Sequence, residues 1–171
     1  MCILEHIPRK SISLTSSGNT VGLASNKSVF AEDDILFGKL RSYFHKVVFA
    51  PWSGVCSTDI LVIRAKKHEW FPFCLFWFFN EDLVEYSDLG SGGTRMPRTS
   101  WEIISGYMVP RPDPSKIEKF NVIARAHIEK VKSNLSQIRT LVALRDTLLP
   151  KLMSGEVRIA NAIEKHQKVV S

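Results

Sequence analysis

Three cysteines, Cys2, Cys56 and Cys74, are too few and too widely spaced to staple a fold. With no CxxC pair there is neither a disulfide framework nor a zinc knuckle, and free thiols in a reducing, cytoplasmic compartment are expected. The five histidines (6, 45, 68, 127, 166) stand singly, without HExxH or HxH spacing, so no metal centre is expected. Long hydrophobic runs are missing. The most apolar stretch, WFPFCLFWFF at 70–79, is about half the length a membrane-spanning helix needs, and suits a buried core helix. The opening MCILEHIPRK turns polar at once, unlike a secretory signal. The glycine-rich LGSGGTRMPR lacks GxxxxGK[ST], and Arg95 stands where the third glycine of GxGxxG would fall. Cys56-Ser57-Thr58-Asp59 offers nucleophiles without a base at any informative spacing, so core packing is the reading for Cys56. Methyl-donor motifs and magnesium-binding acidic pairs are lacking as well. No catalyst and no cofactor is expected.

What the chain does have is a seam. From Ile117, alternating steps of four and three give Ile117, Asn121, Ala124, Ile128, Val131, Leu135, Ile138, Val142, Arg145, Leu149 and Leu152, nine of the eleven apolar. That period lays an apolar stripe along one side of a helix, the pattern that pairs helices. Lys116 to Leu149 would span about 50 Å. Two readings stay open: a helix lying along its own domain, or a rod that pairs with another chain, with Asn121 and Arg145 as register-fixing polar positions.

The net charge of +6 belongs to this end of the chain. Residues 1–110 hold eleven Lys/Arg and eleven Asp/Glu, whereas residues 111–171 hold twelve and six. The expected organisation is a domain over 1–112, a long helix over 113–153 and a fraying tail over 154–171. Pro110-Arg111-Pro112-Asp113-Pro114 marks the border and is not expected to be helical. Within the domain, Met1 to Lys27 reads as loops and short strands. Ile35–Leu40 and Lys46–Ala50 read as strands, and Asp59–Ile63 as a central strand buried on both faces. Gly38 suggests a bulge or a close backbone approach. One helix is expected from Pro72 through Tyr86, and a short one over Trp101–Ile104 capped by Ser100. Tyr107–Val109 reads as a last strand. The fold class is α+β, a mixed sheet followed by a long coiled-coil-type helix.

Two basic clusters are the binding candidates. Lys39-Leu40-Arg41-Ser42-Tyr43-Phe44-His45-Lys46 interleaves cations with aromatic rings, which suits phosphates and bases. It equally suits a polar connection whose rings are tucked inside. Thr94, Arg95 and Arg98 ride on the glycine-rich loop, which is either plain surface or a bare backbone lying against a polyanion. Arg9-Lys10 is a smaller cluster.

DILFGKLRSYFHKVVFAPWSGVCSTDILVIRAKK (34–67) resembles the centre of a target recognition domain from the specificity subunits of type I restriction–modification systems. GGTRMPRTSWEIISGYMVPRP (92–112) resembles the end of that domain, and IRTLVALRDTLLPKLMSGEVRI (138–159) the close of its spacer helix. The resemblance implies a non-catalytic DNA reader that binds one half of a split double-stranded site. Lys39, Arg41, Tyr43, Lys46, Thr94, Arg95 and Arg98 are then the expected DNA contacts. The long helix would dock methyltransferase subunits, and through them the restriction subunit. It would also pair two copies through Ile117, Ala124, Ile128, Val131, Leu135, Ile138, Val142 and Leu149. Against the family pattern, the chain is expected to be about half a subunit and to begin inside the domain. A structural adaptor that reads no DNA is the alternative.

Overall fold

Ile35-Leu36-Phe37-Gly38 carries no polar side chain, so a strand made of it is stable only where both faces are covered. The computed structural model describes residues 1–18, 27–93, 95–110 and 112–157. Among them run β1 (Lys27–Phe30), β2 (Ile35–Gly38), β3 (Val47–Phe49), β4 (Gly54–Ser57) and β5 (Ile60–Ile63), then α1 (Phe71–Phe78), α2 (Glu81–Leu89), α3 (Trp101–Ser105) and α4 (Pro114–Met153). β2 is the middle of a three-stranded sheet ordered β3-β2-β5, and all its residues are buried. Ile35 lies opposite Phe49 and Ile63, and Phe37 opposite Val47 and Leu61, both ladders antiparallel. β1 and β4 form a second antiparallel pair. Parallel pairing among the described residues is confined to isolated bridges, Cys2 with Cys56 and Ser13 with Phe49. The class is α+β, and the mixing of strand directions rests on these two bridges.

The two sheets share one core. Leu36, Val48 and Ile60 meet Phe30 and Cys56 from the other sheet, with Cys2, Ile7 and Leu14 packed in from the N-terminal segment. Burial pushes the thiols of Cys2 and Cys56 up to about 11, as core packing requires. Gly38 is a close approach: a Cβ there would sit 2.7 Å from Leu4 Cδ1 and 3.2 Å from Lys46 Cβ.

Asp34, whose side chain is only 2% exposed, ties the sheet to the turn before it. Its carboxylate accepts Ala31 N–H at 2.7 Å and both Nε–H and Nη2–H of Arg64 at 2.6 Å. Arg64 directly follows β5, so one carboxylate fixes the start of the central strand and the end of its neighbour. After β2 the chain makes a 3-10 turn, Ser42–Phe44, flanked by two left-handed residues, Arg41 (φ 52°) and His45 (φ 51°). His45 is 4% exposed, and its ring lies 4.6 Å from that of Phe79.

Four expectations are corrected. The central strand is β2, whereas β5 lies at the sheet edge with Leu61 and Val62 half-buried; an apolar run marks burial without saying which strand is in the middle. The single helix from Pro72 to Tyr86 is two. Asn80 Oδ1 accepts Asp82 N–H at 2.8 Å and starts α2, with Glu81 and Asp82 in its acidic first turn. α1 buries one side only, through Phe71, Pro72 and Leu75, while Phe76 is 40% exposed. Tyr107–Val109 is irregular, and Met108 is 89% exposed; Gly106 and Pro110 flank three residues with no strand beside them.

α4 begins inside the proline run, at Pro114, because the first helical position needs no N–H. Asp113 caps it, accepting Ser115 N–H at 2.8 Å and Ser115 Oγ–H at 2.6 Å. These bonds hold the Asp113 carboxyl below its ordinary value. The described chain divides into two units, Met1–Glu129 and the segment from Lys130 on. Within the first, Ile117, Asn121, Ala124 and Ile128 are buried. The Asn121 amide donates to the Glu69 carbonyl, Arg125 bonds the His68 ring and carbonyl, and Phe120 meets Phe76 edge-on at 5.6 Å. Within the second, Lys130–Met153 is helix with no buried residue. The tail from Arg158 lies outside the described residues.

Both the Asp34 clamp and the buried His45 bear on stability in measurable ways. Asp34→Ala strands the Ala31 N–H and releases the exposed Arg64 guanidinium to water, and should lower the unfolding free energy by about 1–2 kcal/mol in urea titration, for the unpaired N–H. A loss below about 0.5 kcal/mol, no more than an ordinary surface change, would show that the clamp is dispensable. Burial lowers the His45 value from its usual 6.5. Between that lowered value and 6.5 the unfolded chain holds the extra proton, so His45 favours folding above 6.5 and this contribution fades as pH falls through the window. The urea midpoint should therefore drop between about pH 7.5 and about pH 5.5, and His45→Asn, which tolerates the left-handed backbone, should flatten that difference.

Candidate nucleic-acid interface

The two basic clusters, 39–46 and 94–98, are far apart in sequence and neighbours in the fold. Lys39–Arg41 leaves the buried end of β2 and lies beside the segment 97–99. Arg41 N–H donates to the Pro97 carbonyl at 2.9 Å and Thr99 N–H to the Lys39 carbonyl at 3.0 Å. Leu40 and Arg98 form the antiparallel bridge between them. On the other side, Lys39 N–H donates to the Asp59 carbonyl at 2.8 Å. The glycine-rich loop is closed at its base, where Gly92 pairs with Arg98 and Arg98 N–H donates to the Gly92 carbonyl at 3.1 Å. Gly93, at φ +97°, supplies the left-handed residue the reversal needs. Beyond the base, Arg95 and Met96 are exposed, Met96 by 54%.

The expected contact residues fare differently. Lys39 and Arg41 are half-buried, Arg95 is exposed, and none of the three forms an ion pair among the described residues. Arg98 reaches Asp59, Nη2 to Oδ1 at 3.2 Å, with its side chain still 58% exposed. Tyr43 is 50% exposed and meets Phe44 edge-on at 4.6 Å. Lys46 turns inward and gives its ammonium to the Leu4 carbonyl. Burial, with Arg9 nearby, lowers its value from 10.5, against the pull of Glu5. Thr94 lies outside the described residues.

Arg9 is the residue the sequence left out. Its guanidinium sits 3.6 Å from the centroid of the Phe44 ring, which Arg41 approaches at 6.0 Å, a cation–π arrangement. Lys10 N–H donates to the His45 carbonyl at 3.0 Å, and its ammonium pairs with Glu81 at 2.7 Å, which holds the Glu81 carboxyl below its ordinary value. The Arg9-Lys10 dipeptide was visible as a basic pair, but no spacing rule joins residue 9 to residue 44. Acids also enter: Asp88 accepts Ser42 Oγ–H at 3.1 Å, anchoring the turn to α2.

The result is a basic region in which Arg9, Arg95 and Arg98 are exposed, Lys39 and Arg41 are half-buried and Tyr43 is the exposed ring, mounted on paired backbone. Such a surface can bind a polyanion and present planar donors and rings to bases. Among the described residues, no three His, Cys, Asp or Glu side chains come together as a metal cluster, and no helix is long and apolar enough to cross a membrane.

The seam residues separate into two groups. Ile117, Ala124 and Ile128 are buried within the Met1–Glu129 unit. In the following unit Val131 and Leu135 are half-exposed, while Ile138, Val142, Leu149 and Leu152 are 54%, 40%, 51% and 39% exposed. Arg145 turns onto its neighbour Asp146, Nη2 to Oδ1 at 2.7 Å.

No protein-family model matches the chain. Two curated proteins do. The type I restriction enzyme EcoDI specificity subunit of Escherichia coli is 27% identical over 166 residues, covering 84% of this chain and 36% of that protein. The type I restriction enzyme MjaIX specificity subunit of Methanocaldococcus jannaschii is 30% identical over 138 residues, covering 77% of this chain and 31% of that protein. The chain thus spans about a third of the length of these relatives. One bacterial and one archaeal specificity subunit each align with about four fifths of the chain, and the chain is a sequence relative of the type I restriction enzyme specificity subunits.

Proposed function

We propose that this chain is a non-catalytic, cytoplasmic DNA-recognition component of a type I restriction–modification system. Its domain binds one half of a bipartite double-stranded target, and its helix docks methyltransferase subunits and, through them, the restriction subunit. The observation that carries the reading is the backbone pairing of Lys39–Arg41 with residues 97–99, which brings the two basic clusters side by side in a domain that is neutral overall, with Arg9 drawn in over Phe44. A neutral domain with its cations gathered in one place is built to meet an anion there. The similarity to two specificity subunits supports DNA as that anion.

The helix supports the assembly role. Since the first seam positions are occupied by the chain's own domain, pairing with a second copy is proposed over residues 131–152, a stretch of 22 residues or about 33 Å. Antiparallel pairing about a two-fold axis near Val142 would cover this stripe with itself. Leu141, Leu144 and Leu148, 62%, 51% and 38% exposed, lie on an adjoining stripe that a two-helix contact leaves bare. That second stripe is where a methyltransferase helix would pack.

Two outcomes are expected. Lys39→Ala with Arg95→Ala should weaken binding to all duplexes alike and lower the salt slope by about two, one for each phosphate no longer neutralised. An unchanged slope, or no binding of DNA by the wild type with a methyltransferase subunit present, would leave only the adaptor role. Light scattering at micromolar concentration should give twice the mass of one chain, and Leu135→Asp with Ile138→Asp should return it to a single mass. A wild-type mass of one chain would mean that the stripe is covered by something else.

A further inference from the structure

Arg98 differs from the other cations of the surface in how it is held. Its own N–H is bonded to Gly92, and its chain neighbours Pro97 and Thr99 are bonded to Arg41 and Lys39, so its backbone is fixed on both sides. Its guanidinium touches Asp59 through a single nitrogen, at 3.2 Å. Asp59 is itself fixed, in the turn between β4 and β5. Its N–H donates to Ser57 Oγ at 3.1 Å, and its carbonyl accepts Lys39 N–H at 2.8 Å. Arg95, in contrast, is an exposed residue of the loop with no ion pair among the described residues.

Resting on the DNA-reading role proposed above, we infer that Arg98 is the residue that reads a base edge, a guanine, and that Asp59 is its positioning residue, while Lys39 and Arg95 serve the phosphates. The division follows from charge and geometry. A phosphate contact needs net positive charge and little else. Arg98 is a poor candidate for it, since a carboxylate beside it cancels much of its attraction for an anion. What that carboxylate leaves is direction. One nitrogen is engaged, and the remaining N–H groups of the planar fork are free to donate in parallel. Two parallel donors match O6 and N7 of guanine in the major groove, the commonest specific contact of arginine. The ion pair also restricts the side chain before DNA arrives, which lessens the rotamer entropy that a free arginine would lose on binding. Lys39 and Arg95 show the opposite combination, uncompensated charge without a fixed direction.

The test is a selection by the full chain, with a methyltransferase subunit of the same system present, from a library of random-sequence duplexes. The recovered site and its single-base variants are then titrated at several salt concentrations. Arg98→Lys keeps the charge and loses the fork. Discrimination at one G·C pair should fall on the order of tenfold or more, with the salt slope unchanged. Asp59→Ala should lose discrimination at the same pair while its binding to random duplexes holds or rises, because a negative charge has left the surface. Its thermal midpoint reports whether the turn is intact, and Arg98→Lys stands without it. If both variants keep the full preference of the wild type, the assignment of Arg98 and Asp59 is overturned and the DNA-reading role stands. The assignment is equally overturned if Arg98→Ala lowers the salt slope by about one and leaves every base preference in place. Failure of the wild type to enrich any sequence would overturn the reading role itself, and this assignment with it.

Discussion

The position of β2 at the centre of its sheet is the constraint on which the rest depends. Ile35, Leu36 and Phe37 are wholly buried, so this strand has one place it can occupy and one register it can keep. Asp34 fixes where it starts, since a carboxylate buried to this degree requires all three of its donors. With the start fixed, Gly38 arrives where the backbone must pass Leu4 and Lys46 closely, and the next three residues are delivered to the surface as Lys39, Leu40 and Arg41. The candidate interface is thus the continuation of the most deeply buried element of the protein. Its cations stand on backbone that cannot drift without disturbing the core.

That arrangement explains how a domain with no net charge can still have a polar sense. Along the sequence, acids and bases balance over residues 1–110. In space they are sorted. Asp34 is engaged by Arg64 at the far end of β2, Glu81 by Lys10 and Asp88 by Ser42, while Lys39, Arg41 and Arg95 have no acid paired with them among the described residues. Asp59 is the acid beside Lys39 and Arg98, and it is ion-paired to the Arg98 guanidinium.

Much of this was legible in the residues, and what was not has identifiable causes. The strands over Ile35–Gly38 and Val47–Phe49 follow from β-branched and aromatic runs, and α3 starts after Ser100 as expected, although the Ser100 side chain makes no cap bond. The break at Asn80 was missed because an apolar run dominated the reading, although Asn-Glu-Asp is an N-cap followed by an acidic first turn. β1 and β4 escaped notice because each is short, holds polar residues and gains its stability from the other, a pairing no local pattern displays. The period of the seam is continuous. Periodicity reports that a stripe will be covered and says nothing of by what, and here the chain's own domain covers Ile117, Ala124 and Ile128. The two basic clusters were each visible, but their adjacency depends on backbone bonds between residues 39–41 and 97–99. The place of Arg9 depends on the left-handed turn that puts Phe44 beneath it.

The closure of the glycine-rich loop by Gly92 and Arg98 has a consequence for how such a domain can change over generations. Because the base is tied to the neighbouring segment, Arg95 and Met96 stand exposed beyond it. Loop-closure entropy grows only with the logarithm of length, so doubling the span would cost about 0.6 kcal/mol. Insertions and substitutions around Arg95 and Met96, past the left-handed Gly93, therefore cost folding little while they alter what the tip can touch. The stem separates heritable variation in what is recognised from the stability on which recognition stands, and the loop can be rewritten without rebuilding the domain.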